Sequence, residues 1–364
     1  YNELNTQLKF MNGELRVYVM TDELPLRPWT YEDLKESFTQ LIPGKKILIR
    51  GMDFIYNPSI TREIKRFLPD IVIIAGSWTY PTVWKLLCSR RNNNVRYFFW
   101  VESHERRAMK AKSSNKCVSA FKKYLYMKFD GYCLPGMYAE EAMDHFVGKH
   151  GQRLRLPNLV DDVSYQHAIS KRKDTYELRL KYGIPAKKRV FFCPARLLKL
   201  KGLDLFLKSA GKVKGISKAC FLLAGEGPMK KELQDIADKE NLDVHFMGYC
   251  NQDTVIEFYA LSDFFFLPSL QDCNPLSAIE AAFAGLPLCV SIYTGNSPEL
   301  IQPYKNGVVF DILDTEEVQA CIYFLLNASE EWVSNAGRES LAIAQNSFAC
   351  INETKKFLAQ LREG

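Results

Sequence analysis

The 364 residues carry 48 lysines and arginines against 42 aspartates and glutamates, a net charge of +6, with 47% apolar and 25% charged residues. This is the composition of an ordinary soluble globular chain, and the length calls for two domains of roughly 150–200 residues. The longest apolar runs are far shorter than the ~20 residues of a membrane span, and no repeat or low-complexity segment is present.

The ten cysteines are scattered singly, with no C-x-x-C pair. That spacing argues against a disulfide framework or a zinc site and for a reducing cytoplasm. The modest positive charge points only to anionic partners in general.

The chain opens on a helical pattern (residues 1–11), an Asn-Gly stop and a strand at 14–20. A doubly wound domain normally opens on a strand, so a first strand is expected upstream of Tyr1. Further strands are expected at 45–50, 71–76, 95–101, 130–135 and 153–157 in the first half. The second half gives strands at 189–197, 220–227, 244–249, 264–270, 286–292 and 307–310. Most of these runs are continuously apolar, with amphipathic helical patterns between them, as in parallel sheets buried on both faces. The expected fold class is α/β, with two Rossmann-like doubly wound domains facing a cleft and ligands beyond the C-terminal strand ends. The domains are drawn as 1–160 and 161–340, with 341–364 a C-terminal helix returning toward the first; the polar stretch 158–187 holds the boundary.

The densest chemistry lies in "QDCNPLSAIEAAFAGLP", residues 271–287. Asn274 is a favoured N-cap and Pro275 suits a first helical turn, so a helix is expected to start there and to stop at Gly285. The backbone amides near Leu276 and Ser277 would then face the cleft as an anion site. Glu280, inside that helix, needs a hydrogen-bonding partner, and the vicinal hydroxyls of a ribose suit it. Asp272, in the preceding loop, is left to meet a second hydroxylated group such as a sugar. The alternative is that both acids are simply solvated.

Arg196 and Lys201 follow the strand "FFCPA" and place two cations at a strand end, enough to stabilise a departing diphosphate without a metal. Gly225, Glu226 and Gly227 form a tight turn that permits close backbone approach.

The runs "PARLLKLKGLDLFLKSA", "LLAGEGP", "FMGYCNQDTVIEFYALSDFFFLPSLQDCNPLSAIEAAFAGLPLCVS" and "GNSPELIQPYKNGVVF" occur in that order. Together they resemble the retaining nucleotide-sugar-dependent glycosyltransferases of family 4, which have the GT-B fold. The resemblance covers residues 190–310. It implies that Glu280 holds the donor ribose and that Arg196 and Lys201 contact the donor diphosphate. The family's E-x7-E motif reads Asp272-x7-Glu280 here, so the first acid is one methylene shorter. Its amide-donating "FGL" corresponds to Asn274, Pro275 and Leu276, and proline cannot donate. Base recognition is expected from backbone around Gly248 and Tyr249.

In the first half, "RPW" (27–29), "PDIVIIAGSW" (69–78), "FFWVESHERR" (98–107) and "LPNLVDD" (156–162) look like landmarks of bacterial surface-polysaccharide members. Glu102 and Ser103 would line the acceptor side, and His104 would contact the donor sugar; a charged surface turn is the alternative reading.

Residues 106–128 carry Arg106, Arg107, Lys110, Lys112, Lys116, Lys122, Lys123 and Lys128 with interleaved aromatics and no acid. Such a surface can lie on an anionic membrane or be a solvated helix face. No nucleic-acid motif accompanies it.

The resemblance implies an enzyme that takes a hexose from a UDP- or GDP-sugar to a saccharide or lipid-linked acceptor, with configuration retained and no metal cofactor. It would act in surface polysaccharide biosynthesis, in the cytoplasm or peripherally on the inner membrane face. Two alternatives stay open: a nucleotide-sugar 2-epimerase, and a catalytically silent nucleotide-sugar-binding subunit.

Overall fold

The computed structural model describes residues 1–22, 31–32, 35–49, 52–90, 94–101 and 116–363. Its first part runs α1 (Asn2–Phe10), β1 (Val17–Val19), β2 (Thr39–Leu41), β3 (Lys45–Ile49), β4 (Met52–Tyr56), α2 (Ile60–Phe67), β5 (Ile71–Ala75), α3 (Pro81–Cys88), β6 (Arg96–Trp100), α4 (Lys116–Tyr126), β7 (Gly131–Leu134), α5 (Met137–Val147) and β8 (Gln152–Arg155). The second runs α6 (Asp162–Lys171), α7 (Thr175–Lys181), β9 (Arg189–Pro194), α8 (Leu203–Ala210), β10 (Ala219–Ala224), α9 (Lys230–Lys239), β11 (Val244–Gly248), α10 (Gln252–Leu261), β12 (Phe264–Leu267), α11 (Leu276–Phe283), β13 (Leu288–Ser291), α12 (Ser297–Leu300), β14 (Gly307–Phe310), α13 (Thr315–Leu326), α14 (Glu330–Ser347) and α15 (Cys350–Glu363).

The second part is a six-stranded parallel sheet in the order β11-β10-β9-β12-β13-β14. Its strands bury aromatics on both faces: Phe191, Phe192, Phe221, Phe264, Phe265 and Phe266 are fully enclosed. Phe206 of α8 stacks on Phe266 at 4.7 Å, and Tyr259 of α10 meets Phe192 edge-on at 5.0 Å, so each face has its own covering helix. Burial on both faces is why these strands read as unbroken apolar runs. The chain winds outward from β9 through β10 to β11, then returns to the other side of β9 with β12. The crevice of this sheet therefore opens beyond Pro194 and Leu267, where winding reverses.

The first part holds a four-stranded parallel sheet, β5-β6-β7-β8, and a separate parallel pair, β1-β2. The expected strand at 45–50 is not in a parallel sheet. It is β3, paired antiparallel with β4 as an isolated hairpin, Lys45 opposite Tyr56 and Ile49 opposite Met52. Two residues separate the strands, and so short a connection permits only antiparallel pairing.

The last helix crosses between the parts. Phe357, Leu358 and Leu361 of α15 pack with Phe98, Cys133 and Leu154 of the first sheet. The Gln152 amide reaches Gln360 O at 3.0 Å, and Arg155 pairs with Glu353 at 3.1 Å. Residue 340 lies inside α14, whose buried Ala336, Gly337, Ser340 and Ala344 face the second part, so the returning segment is α15 alone.

Candidate active site

Two loops meet at the sheet crevice, 195–202 after β9 and 268–275 after β12. The Leu270 amide donates to Leu200 O at 2.8 Å. Gly202 has φ +63°, and a Cβ there would lie 2.1 Å from Pro268 O, so only glycine lets the loops come this close. The contact carries Lys201 against Asp272: their side chains form an ion pair, each about one-sixth exposed. Sequence reasoning gave these two residues separate ligand groups, diphosphate and sugar; the fold gives them each other. Arg196, on the same loop after β9, is exposed.

The Gly-Glu-Gly turn is used for packing between loops. A Cβ on Gly225 (φ +147°) would sit 2.1 Å from Ala195 O. The Leu197 amide donates to Glu226 O at 3.0 Å, and Leu197 O accepts from the Met229 amide at 3.1 Å. The glycines thus hold the loop that carries Arg196 against the next strand end, and Gly227 likewise fits against Leu197. The Glu226 carboxylate turns outward to Lys230 at 3.0 Å. Gly248 closes the row, its carbonyl accepting from the Gly225 amide at 2.7 Å, and Tyr249 beside it is exposed.

The helix expected to start after Asn274 begins one residue later. Pro275 is the N-cap, with extended backbone, and α11 starts at Leu276 with no side chain capping it. The Asn274 side chain is buried and caps nothing: among the described residues neither its Nδ2 nor its Oδ1 has a partner. Its backbone carbonyl accepts from Asn158 Nδ2 at 3.3 Å, and Pro275 O accepts from Asn296 Nδ2 at 3.0 Å. Gly285, at φ +66°, follows Ala284 at the helix end, as expected.

Glu280 faces two tyrosines. The Tyr259 hydroxyl lies 3.0 Å from Glu280 Oε2 and 3.1 Å from Ser277 O, and Tyr165 hydrogen-bonds the same carboxylate. Burial pushes the Glu280 carboxyl above its usual range, and the tyrosine hydrogen bonds pull it back only in part. Burial, and next the neighbouring Glu280, raise the Tyr165 and Tyr259 hydroxyls, so both stay protonated donors.

Among the described residues, twelve buried side-chain polar atoms lack a hydrogen-bond partner, and six of them fall within 269–299: Ser269 Oγ, Asn274 Nδ2 and Oδ1, Thr294 Oγ1, Asn296 Oδ1 and Glu299 Oε2. Each such group costs about 1–3 kcal/mol if left unsatisfied, so their concentration at one strand-end crevice makes it the candidate site for a polar ligand. The chain ties these residues together: the Gly295 amide donates to Asp272 O at 2.8 Å, and the Asp272 amide to Tyr293 O at 3.1 Å. Glu299 reaches the other domain, its Oε1 accepting from the Met137 amide at the start of α5 at 2.6 Å. Burial raises its carboxyl above the usual range.

Thr294, Asn296, Glu299, Tyr165 and Tyr259 were given no role from sequence. The one signal was the polar cluster "TGNSPE" after a strand; the tyrosines gave none. Glu102, Ser103, His104, Arg106, Arg107, Lys110 and Lys112 lie outside the described residues. Lys116, Lys122, Lys123 and Lys128 lie in or just after α4, with Lys122 stacked on Phe146 at 3.8 Å and Lys128 on Tyr124 at 4.7 Å. One trio of ligand-type atoms, from Cys220, Asp243 and His245, falls within 4.8 Å among the described residues. It sits at the opposite strand ends from the crevice, and Lys188 holds Asp243 at 2.9 Å. Among the same residues no helix is long and apolar enough to cross a membrane.

Residues 174–339 match the sequence profile of the family described as glycosyl transferases, group 1. An uncharacterized glycosyltransferase of Methanocaldococcus jannaschii is 24% identical over 256 residues, covering 68% of this chain and 61% of the relative. The alpha-monoglucosyldiacylglycerol synthase of Streptococcus pneumoniae is 25% identical over 198 residues, covering 52% and 42%. The chain thus spans less than two thirds of the length of these relatives. Among solved structures, Anabaena HepE in complex with UDP superposes with a TM-score of 0.70 at 14% identity, over 99% of this chain and 95% of that one. The chain is built on the GT-B fold, and its second half resembles the group 1 glycosyl transferases.

Proposed function

We propose that this chain is a retaining glycosyltransferase that moves a hexose from a nucleoside-diphosphate sugar to a hydroxyl of a glycan or lipid-linked saccharide. The observation that carries the reading is the set of unpartnered polar atoms at 269–299, beside the uncapped start of α11 and within the crevice that Arg196 borders. In this reading the α11 amides and Arg196 hold the diphosphate, and Lys201 joins them by leaving Asp272 as the donor enters. Glu280, already oriented by Tyr165 and Tyr259, accepts from the ribose hydroxyls. Asn274, Thr294 and Asn296 offer amide and hydroxyl groups to the sugar.

The residues supply fixed positive charge where the diphosphate departs, so the proposal needs no metal. Same-face attack would be assisted by the leaving phosphate, since neither acid of the Asp272-x7-Glu280 pair is free to act as a nucleophile: Asp272 is paired with Lys201 and Glu280 is held by tyrosines. The UDP complex of a GT-B neighbour and the glycolipid in the streptococcal relative's name support a UDP-sugar donor and a lipid acceptor as first choices; action at the cytoplasmic membrane face is part of the same proposal. The Asp272–Lys201 pair also keeps a binding-only subunit in view, because it occupies the acid assigned to the transferred sugar.

The test is calorimetric titration with UDP, GDP, ADP and CMP in EDTA, then radiolabelled sugar transfer to lipid-linked and free saccharides from the matching donor. Binding of one nucleoside diphosphate followed by transfer supports the enzyme. Binding without transfer across both acceptor classes turns the reading toward the silent subunit.

A further inference from the structure

The strand ends away from the crevice bring together a cysteine, an aspartate and a histidine that the proposed reaction does not use. β10 and β11 pair in parallel, with Phe221 opposite Val244 and Leu222 opposite His245. Side chains alternate along a strand, so Asp243 and His245 share one face of the sheet, and Cys220 stands on that same face beside Asp243. The Phe221 amide donates to Asp243 O at 2.8 Å and fixes the register. As a result Cys220 Sγ, an Asp243 carboxylate oxygen and a His245 ring nitrogen lie within 4.8 Å of one another, with His245 Nε2 3.0 Å from Asp243 Oδ1. No C-x-x-C pair marks the trio in the sequence, because strand pairing assembles it rather than spacing along the chain.

The donor set and the access both suit a metal ion. Ligand atoms around a tetrahedral zinc stand roughly 3.3–3.6 Å apart, from bonds of about 2.3 Å to sulfur and about 2.0–2.2 Å to nitrogen or oxygen. Asp243 and His245 are already near that separation, and Sγ comes into range on a shift of no more than about 1.5 Å. Thiolate, imidazole and carboxylate together favour zinc or another borderline-soft ion over magnesium or calcium. Among the described residues β11 is the edge strand of its sheet. Asp243 and His245 are each about a quarter exposed, so an ion can enter from the side, while buried Cys220 closes the site from within. Burial pushes the Cys220 thiol up to about 12, so a metal must displace its proton on binding, as coordinated thiols lose theirs.

Lys188 is the group that competes with such an ion. Its ammonium lies 2.9 Å from Asp243 Oδ2 and supplies positive charge to the carboxylate. A divalent ion would take over that charge while Lys188, whose side chain is partly exposed, turns out into water. The geometry points to Cys220, Asp243 and His245 as a binding site for a divalent, zinc-like ion, with water or a further ligand completing its coordination. The bound ion would tie the edge strand β11 to β10 and so stabilise the second domain. The inference stands apart from the proposed reaction, whose crevice lies at the other strand ends.

The test dialyses the full chain against a chelator, removes the chelator, and titrates with cobalt(II) as a spectroscopic stand-in for zinc, then with zinc in competition. The expected result is one cobalt per chain, with sulfur-to-cobalt charge-transfer absorption that zinc abolishes, and an unfolding midpoint raised by zinc but not by magnesium. Cys220→Ser should remove the charge-transfer band, and His245→Ala should weaken binding at least about tenfold. Lys188→Met should tighten it about tenfold, since it removes a competing charge at Asp243. A band that survives in Cys220→Ser would put the metal on another of the ten cysteines and overturn the site. No binding at micromolar metal, or equal affinity in wild type and His245→Ala, would overturn it as well. If Cys220→Ser fails to fold, His245→Ala and Lys188→Met, both at partly exposed positions, decide the matter.

Discussion

Substitution of Glu280 tests the donor assignment most directly. The carboxylate accepts from Tyr259 at 3.0 Å, and that hydroxyl has Ser277 O at 3.1 Å as an alternative acceptor. Glu280→Ala therefore leaves Tyr259 with a partner. The fold loses two charge-assisted bonds, from Tyr259 and Tyr165, but also a carboxylate kept away from water, so the net cost to stability should stay within about 2–3 kcal/mol. Binding has no such compensation. If ribose hydroxyls donate to the carboxylate, their loss costs ~1.5–3 kcal/mol, and nucleotide affinity should fall about ten- to hundredfold. Glu280→Gln keeps the shape and an acceptor but not the charge, and should fall between the two. Calorimetry with the preferred nucleotide, beside urea unfolding of each variant, separates the effects. A folded Ala variant with wild-type affinity would refute the ribose assignment and leave Glu280 as a packing residue for Tyr165 and Tyr259.

The same group sets a pH dependence. Its folded pKa is raised, so its contribution to stability is complete below the unfolded carboxylate range and is lost as pH rises through the folded value. Glu299 has the same sign, so urea unfolding should show Glu280→Gln and Glu299→Gln each flattening the fall in stability from acid toward neutral pH. Arg196→Ala, at an exposed position, should leave the unfolding midpoint within about 0.5 kcal/mol of wild type while weakening the nucleoside diphosphate more than the monophosphate; equal losses for both would contradict a diphosphate contact. Gly202→Ala brings a Cβ to 2.1 Å from Pro268 O at a positive φ and should cost at least 1–3 kcal/mol, read by denaturant titration. Asp272→Ala should cut sugar transfer far more than nucleotide binding, measured on one preparation.

The second domain was largely legible in the sequence because its strands are enclosed on both faces. "FFFL" and "CFLLA" could be read as parallel core strands from composition alone, and β12 and β10 sit there. The first domain was less so. β2 is three residues, Thr39–Leu41, and β4 carries Asp53 amid apolar neighbours, so neither has a run long enough to register. Within the site, the helix start after Asn274 was legible to one residue, because proline at a helix entrance constrains the backbone on its own. The partners of Lys201 and Glu280 were not. Asp272 lies 71 residues from Lys201 and Tyr259 lies 21 from Glu280, on separate elements whose meeting depends on how the loops fold over the sheet. Asn274 shows the converse: it reads as a helix cap, but Pro275 takes that position, and among the described residues the Asn274 side-chain amide has no partner.

The crossing of α15 has a mechanical consequence. The polypeptide passes between the two domains twice, once through the segment after β8 and once where α14 gives way to α15, which is bound to the first sheet through Phe357, Leu358 and Leu361. Two attachment points side by side act as the paired pins of a door: they permit swing about the line joining them and resist twist and separation. The Met137 amide donating to Glu299 at 2.6 Å is a further contact between the domains, so an opening that separates α5 from α12 would have to break it.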